Sequence, residues 1–428
     1  MFLHSSMRQI LFSLVATLFV IQFANAQADE HVANYDEAKV GTFTLPDPLI
    51  DVAGKPVKTQ VGWSRRRAEL KQVFAENVYG KTPTKAVRLR FQTVQTNNDA
   101  LSGLAIRKQV SIFFVDYPQL PPINVLLYVP KAAKKQVPVF LGLNFCGNQC
   151  VTTESDILLA TRWINIDNGQ VSVANSAPEK TRGLQARRWP IELILKRGYA
   201  LATAYYGDIE LDYPQGWHSG IRSVLGDTTQ ADNWGAVGAW AWGMSRILDY
   251  IKTDPTLDVQ RVISFGHSRL GKAALWAGVQ DERFAAVVAN ESGEGGAALA
   301  RRWYGETVER INTTFPHWFC ARYKTYNKHV TDLPVDQHEL LALVAPRPLY
   351  VASADGDQWS DPKGEFLGAA YTEPVYRLYG KVGLGTSTFP PLNNPIGQTV
   401  RYHDRTGIHD VTDYDWEQYL RFADELVR

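Results

Sequence analysis

This sequence has almost no net charge, few cysteines and few long apolar runs. Its 428 residues carry 45 basic and 44 acidic side chains, and this balance argues against nucleic acid or an anionic membrane as the partner. The three cysteines, Cys146, Cys150 and Cys320, allow at most one intramolecular disulfide, for which Cys146–Cys150 is the first candidate. No second pair of cysteines completes a zinc site, so we expect no metal and no other cofactor.

The longest apolar run lies at the N-terminus. Arg8 precedes a mainly apolar stretch, Ile10 to Ala24, which ends in Ala24-Asn25-Ala26, the small-x-small pattern that signal peptidase reads. The stretch is short for a membrane span, and no later segment approaches about 18 uninterrupted apolar residues. We therefore predict a signal peptide over residues 1–26 and export to the periplasm or the medium. The mature chain, residues 27–428, is expected to be one catalytic domain, monomeric and without a membrane span.

Strand-like and helix-like segments alternate along the mature chain. The apolar runs Val137–Phe145 and Tyr199–Tyr206 are typical of strands buried on both faces. Further predicted strands are Val87–Thr96, Ala105–Asp116, Ile123–Val129, Val262–Phe265, Ala285–Ala289, Leu349–Ser353 and Thr399–His403, and the predicted helices are Trp63–Tyr79, Trp189–Arg197, Trp234–Thr253 and Tyr414–Val427. This order predicts an α/β fold with a mostly parallel central sheet and helices on both faces.

The segment from Gly266 to Gly271 joins an apolar strand to a helix-forming run. A serine at such a corner, here Ser268, is the arrangement of a nucleophile elbow, in which the hydroxyl lies below a helix N-terminus. The second glycine comes three residues after Ser268, where the usual pattern has two. We expect a side chain at Gly266 to collide with the neighbouring strand and His267 to point away from the serine. The alternative is a tight turn with an incidental serine.

A serine nucleophile needs a general base, and the base needs an orienting carboxylate. His409 follows the last strand and precedes the last helix, where α/β-hydrolases carry the base. His403 is the rival, but its place inside a predicted strand favours packing. Two carboxylates are candidates for the orienting acid. Asp357 follows the strand that begins at Leu349, and Glu291 follows the strand after the elbow helix. Asp355 is a further candidate. The alternative for each is ordinary loop capping.

Arg269 comes directly after the predicted nucleophile. Its backbone N–H and its guanidinium are both available to a developing oxyanion, and the loop from Asn144 to Asn148 is the usual place for a second donor. A cation beside the serine indicates a substrate with acidic or strongly polar groups near the scissile bond. The alternative is a surface salt bridge.

These residues resemble carbohydrate esterase family 15, the glucuronoyl esterases, in its bacterial branch. The matching signature is Gly266-His267-Ser268-Arg269-Leu270-Gly271-Lys272, followed by Glu291, 23 residues after Ser268, in a segment that runs from Asn290 to Ala297. Other matching segments are Leu141–Phe145, Arg197–Ala200, Tyr206–Asp208, Trp240–Gly243, Pro316–Phe319 and Trp359–Glu365. The resemblance extends from about residue 35 to the end of the chain.

The resemblance implies an α/β-hydrolase that cleaves the ester between 4-O-methyl-glucuronate on xylan and lignin alcohols. The site residues that it implies are Ser268 as nucleophile, His409 as base, Glu291 and Asp357 as acids, Arg269 at the oxyanion, and Lys272, Glu306 and Trp359 in the uronate pocket. Fungal members have cysteines where His267 and Ile408 stand, so their disulfide cannot form here.

Two other functions are compatible with the sequence. An exported acetyl or feruloyl xylan esterase would share the triad and differ in the pocket. A non-catalytic carbohydrate-binding protein on the same scaffold is the other alternative, but the full set of triad residues argues against it.

Overall fold

One ten-stranded sheet runs through this protein, for which a computed structural model describes residues 33–427 apart from 167–170 and 173–177. The strand order is β1-β2-β3-β7-β4-β8-β9-β10-β12-β11. The bounds are β1 Leu89–Asp99, β2 Ala105–Phe114, β3 Ile123–Pro130, β4 Val137–Asn144, β7 Ala200–Tyr205, β8 Leu257–His267, β9 Phe284–Asn290, β10 Leu349–Ala354, β11 Ile396–Gly397 and β12 Val400–Arg405. Two short strands, β5 Asn165–Ile166 and β6 Val171–Ser172, pair separately. The predicted signal peptide lies outside the described residues.

The central part of the sheet is parallel. Strands β7, β4, β8, β9, β10 and β12 pair in parallel, while β1, β2 and β3 join antiparallel at one edge and β11 joins antiparallel at the other. Every residue of β4 and β7 is buried, because helices cover both faces of a parallel sheet. The predicted fold class is confirmed.

Helices cover both faces of the sheet. Their bounds are α1 Gln60–Phe74, α2 Ala100–Gly103, α3 Ile191–Lys196, α4 Tyr206–Ile209, α5 Arg222–Leu225, α6 Ala236–Ile251, α7 Arg269–Gln280, α8 Val308–Thr314, α9 Gln337–Ala342, α10 Pro362–Ala370, α11 Glu373–Leu378 and α12 Asp413–Leu426. One apolar cluster joins the sheet to α1, α6 and α7, and a second joins it to α3 and α12. The predicted helix Trp63–Tyr79 is helical throughout, but α1 begins earlier, at Gln60, and ends at Phe74, after which a π-helical turn continues to Tyr79.

The loop after β4 contains the predicted disulfide. Cys146 and Cys150 are bonded, with their Cα atoms 5.9 Å apart, within the normal range for a disulfide. Cys320 is free, and burial raises the pKa of its thiol to about 11. No helix among the described residues is long and apolar enough to cross a membrane.

The predicted catalytic residues follow successive parallel strands. Ser268 comes directly after β8 and Glu291 directly after β9, while Asp357 lies in the loop after β10 and His409 in the loop after β12. Because parallel strands end at the same edge of a sheet, the fold brings these loops together.

Candidate active site

The elbow at Ser268 has the backbone strain that the pattern predicts. Ser268 has φ 57° and ψ −130°, directly between β8 and α7, and its N–H donates to the carbonyl of Asn290 at 2.9 Å. A Cβ at Gly266 would lie 2.0 Å from the carbonyl oxygen of Leu270. The predicted collision with the neighbouring strand is therefore wrong, because the obstacle is the first turn of α7. At Gly271 a Cβ would lie 3.0 Å from Cβ of Ser292, beyond β9.

A cavity of about 440 Å³ opens above the elbow. Its lining includes Ser268, His409 and Arg269, together with Phe145 and Ile408. Among the described residues, the Ser268 hydroxyl makes no hydrogen bond, so substrate can approach it without displacing a protein partner.

Two carboxylates converge on the imidazole of His409. Nδ1 lies 2.6 Å from Oδ2 of Asp357 and 3.0 Å from Oε2 of Glu291, and the contact with Asp357 has hydrogen-bond geometry. Burial lowers the pKa of His409, but the hydrogen bonds and charges of the two carboxylates outweigh it and raise the pKa to about 9. The Nδ1 side of the ring is therefore occupied by acids, which leaves Nε2 for the serine and the substrate.

The two carboxylates differ in their other partners. Burial opposes ionisation of Asp357, but contact with His409 lowers its pKa below the ordinary value. Burial raises the pKa of Glu291, against the opposing effects of His409 and Arg405. Arg405 Nη2 donates to Oε1 of Glu291 at 2.7 Å, and the N–H of Asp410 donates to Oε2 at 3.0 Å. Glu291 therefore also holds the loop that carries His409, whereas Asp357 is the better aligned acceptor for the imidazole.

His267, which the sequence predicts to point away from Ser268, lines the same cavity as Ser268 and His409. Its ring lies beside that of His409, with centroids 4.4 Å apart, and its Nδ1 lies 3.1 Å from Oδ1 of Asn290. Burial and the neighbouring His409 hold the pKa of His267 well below its ordinary range.

Ligand atoms of His267, Glu291 and His409 lie within 4.8 Å of one another. A metal ion could in principle use such a set. In this structure the hydrogen bonds to Asn290, Arg405 and Asp357 already engage the same three side chains. Metal binding would have to break a network that orients the imidazole, so the arrangement fits proton transfer better than coordination.

Arg269 is held by a carboxylate that the sequence analysis did not single out. The Nη1 of Arg269 bonds Asp212, which also contacts His317 Nε2 and Trp318 Nε1, each at 2.7 Å, and the Tyr206 hydroxyl at 3.1 Å. Burial opposes ionisation of Asp212, but Arg269 and the hydrogen bonds lower its pKa. The alternative of a surface salt bridge is wrong for Arg269, since Asp212 is buried and the guanidinium lies 4.8 Å from the Trp318 ring.

Two of the three residues assigned to a uronate pocket, Lys272 and Glu306, are buried charged groups. Lys272 is buried and donates to the carbonyl of Ser292, and burial lowers its pKa against the opposing charge of Glu306. Burial raises the pKa of Glu306. The charges of Lys272 and Arg269 and a hydrogen bond with the Trp359 side chain act in the opposite direction and lower it by less. The charge of His409 also lowers the pKa of Glu306, by a smaller amount.

The remaining candidates have structural roles. His403 is fully buried between Asp415, 2.9 Å from its Nε2, and the Tyr350 hydroxyl, which confirms that it packs. Asp355 accepts from the N–H of Gly407 at 2.8 Å and so caps the loop before His409. In the loop after β4, the side-chain amides are already engaged: Asn144 donates to Asn148 and Thr203, and Asn148 to the carbonyl of Asn124.

Asp212 and Arg405 are two site residues that the sequence patterns did not single out. Arg405 contacts Glu291, Asp415 and the Asp410 carbonyl. Its place at the end of β12, four residues before His409, is the only signal in the sequence that could have indicated it. Asp212 lies in no recognisable pattern.

The parallel sheet, the strained serine at the elbow and the imidazole between two carboxylates define a serine hydrolase of the α/β-hydrolase fold. A family model described as "Glucuronyl esterase, fungi" matches residues 228–380. A carbohydrate esterase, MZ0003, from an unknown prokaryotic organism is 46% identical over 398 residues, which are 91% of each chain. The chain belongs to the glucuronoyl esterases, carbohydrate esterase family 15, as the resemblance predicted.

Solved structures agree with this assignment. A glucuronoyl esterase from Solibacter usitatus is 50% identical with a TM-score of 0.85, and the match covers 90% of this chain and 99% of that one. A promiscuous CE15 esterase from a marine bacterial metagenome is 45% identical with a TM-score of 0.86, over 92% and 100% of the two chains. By sequence, the chain is also similar to the 4-O-methyl-glucuronoyl methylesterase of Cerrena unicolor. The two are 26% identical over 80% of this chain and 62% of the length of that enzyme.

Proposed function

We propose that this enzyme is a 4-O-methyl-glucuronoyl methylesterase, which hydrolyses the ester between glucuronate on xylan and the alcohols of lignin. The observation that carries the proposal is that Lys272 and Glu306, which the family resemblance assigns to the uronate pocket, are both buried and carry charges that act on one another. A buried cation and a buried carboxylate are costly unless they are hydrogen-bonded or paired, and a hydroxylated sugar acid offers hydrogen-bond partners to both.

In the proposed reaction, Ser268 Oγ attacks the uronoyl carbonyl while Nε2 of His409 takes the serine proton. The tetrahedral oxyanion forms beside the guanidinium of Arg269 and the free N–H groups of the first turn of α7. His409 then gives the proton to the departing alcohol, and a water molecule activated by the same imidazole frees the glucuronate.

We assign Asp357 as the principal orienting acid and Glu291 as the supporting one. Asp357 makes the shorter contact with Nδ1 of His409, 2.6 Å against 3.0 Å, while Arg405 and the N–H of Asp410 hold Glu291. On this basis Asp357→Asn should lower kcat more than Glu291→Gln, and Glu291→Gln should cost more folding stability because it breaks the Arg405 contact.

The test compares benzyl glucuronate, an acetylated xyloside and a feruloyl ester, with Ser268→Ala as the blank. We expect preference for the uronate ester, and loss of activity in the blank. Lys272→Met should then lower kcat/KM for the uronate and leave any acetyl esterase activity unchanged. Preference for the acetyl or feruloyl ester would reject the uronate assignment, and no activity on any of the three would support the binding-protein alternative.

Export and the monomeric state belong to the same proposal. A polymeric plant substrate cannot enter a cell, so the enzyme must meet it outside the cytoplasm, which agrees with the predicted signal peptide over residues 1–26. Fractionation of cells that express the full chain, and light scattering on the purified enzyme, test the two statements.

A further inference from the structure

Trp303 is an exposed tryptophan held in a strained backbone conformation. Its φ of 47° and ψ of 56° lie in the left-handed region, which a bulky residue rarely adopts. The residue is 56% exposed, so burial does not compensate for the strain. Strain of this kind persists where the surrounding structure fixes it, and it marks functional positions.

The neighbours of Trp303 fix its backbone on both sides. Asn34 Nδ2 donates to the carbonyl of Trp303 at 3.0 Å. Arg302, directly before it, is buried and paired with Asp361 at 2.8 Å. Gly305, two residues after it, donates its N–H to the Asn34 carbonyl at 2.9 Å. The indole therefore projects into solvent from a rigid support.

The indole forms part of the wall of a groove of about 950 Å³, here called the Trp303 groove. Residues 42–46 form one side of it, and segments within 300–309 and 327–331 contribute the rest. This volume lies at the upper end of the range for small-molecule sites. The groove is distinct from the 440 Å³ cavity above Ser268, with which it shares no lining residue.

Charges along the Trp303 groove are paired. Glu309 and Lys328 form an ion pair at 3.7 Å, and Arg301 contacts Asp336 at 3.1 Å. A lining with an exposed aromatic face, threonine hydroxyls and paired charges suits a neutral ligand with many hydroxyl groups. Sugar rings pack their apolar faces on indoles and bond their hydroxyls to such neighbours.

The Trp303 groove adjoins the residues assigned to the uronate pocket along the chain. Glu306 donates its backbone N–H to the carbonyl of Trp359 at 2.9 Å, which joins the backbones of these two pocket residues. The next residue, Thr307, lines the Trp303 groove. One short segment, residues 303–307, therefore contributes both to the groove wall and to the predicted uronate pocket.

We propose that the Trp303 groove binds the neutral xylan backbone to which the uronate is attached, with the indole of Trp303 as a stacking platform. This inference rests on the proposed function, because it takes the substrate to be a uronate on a polysaccharide. The groove would then give the enzyme affinity for the chain beyond the single sugar acid at the catalytic centre.

The first test measures binding of xylohexaose to the Ser268→Ala enzyme by calorimetry, with and without Trp303→Asn. Asparagine tolerates the left-handed backbone, so the fold is retained while the indole is lost. We expect the Kd to rise roughly three- to tenfold, the value of one aromatic contact, and Trp303→Phe to keep most of the affinity. Equal Kd values with and without the indole, or no binding of xylohexaose, would overturn the proposal.

The second test uses two uronate benzyl esters, one of free glucuronate and one carried on a xylo-oligosaccharide. Trp303→Asn should lower the ratio of kcat/KM for the oligosaccharide ester to that for the free ester by a similar factor, and an unchanged ratio would refute the groove. Failure of the wild type to cleave either ester would reject the proposed function instead. The binding measurement does not depend on that result, so the two failures can be distinguished.

Discussion

Replacement of Asp212 by asparagine tests whether Arg269 depends on a buried carboxylate for its position. Asp212 contacts Arg269, His317 and Trp318 and is 7% exposed. Asparagine keeps the size of the side chain but removes its charge and replaces one acceptor oxygen by a donor. The guanidinium then loses its counter-charge, and its Nε, which already has no hydrogen-bond partner among the described residues, cannot compensate.

The Asp212–Arg269 contact is expected to affect both catalysis and folding stability, and a magnitude follows for each. Loss of one oxyanion donor costs about 10²–10³ in kcat, which is the upper limit for a change that only displaces Arg269. We expect Asp212→Asn to lower kcat by about tenfold to 10²-fold with KM little changed. Removal of one partner of a buried ion pair costs about 3–5 kcal/mol, so unfolding stability should also fall, by less than this because Arg269 is partly exposed.

Steady-state kinetics on benzyl glucuronate and thermal unfolding are the assays. Asp254→Asn is the matched control, since Asp254 is a 6% exposed carboxylate that Lys108 contacts at 2.6 Å and that lines none of the catalytic cavity. It should lose comparable stability and keep kcat. In an Arg269→Met background, Asp212→Asn should lower kcat no further. An unchanged kcat in the single variant, or additive losses in the double variant, would refute the reasoning.

The remaining predictions concern the base and the elbow. The general base is neutral imidazole, so the raised pKa of His409, about 9, predicts that kcat/KM increases with pH into the alkaline range. Asp357→Asn should shift this increase toward lower pH. A pH profile that does not shift would contradict the assignment of Asp357. The ion pair of protonated His409 contributes folding stability that is complete below its ordinary pKa and is lost as pH rises through 9, which unfolding midpoints against pH can measure. Gly266→Ala places a Cβ 2.0 Å from the Leu270 carbonyl oxygen. We therefore expect the free energy of unfolding to fall by about 1–3 kcal/mol or more and the yield of folded enzyme to be low. A melting temperature equal to that of the wild type would show that the elbow can relax around the added methyl group.

The amino-acid sequence by itself determined the fold class and predicted the nucleophilic serine and the basic histidine. These signals are local: an apolar strand, a glycine-flanked serine and a helix-forming run lie within about fifteen residues of one another, and His409 follows from chain order. The resemblance to a family supplied the pocket residues, and the comparisons confirmed the family.

Only the tertiary structure decided how the two acids divide their contacts with His409. Sequence placed Glu291 and Asp357 after neighbouring strands, but their distances to one nitrogen atom and the pairing of Glu291 with Arg405 depend on loop conformations. The predicted obstacle at Gly266 was wrong for the same reason. A strand pattern gives the direction of a segment, and side-chain contacts beyond its last residue are set by segments distant in the chain.

Asp212 shows the limit most clearly. It is 57 residues before Arg269, in a stretch without a periodic pattern, and it becomes a functional candidate only because folding buries it among donors from three separate segments. Burial and convergence of charges are properties of the packed chain. The sequence therefore determined which groups are the candidates for the chemistry, and packing decided which groups hold them in place.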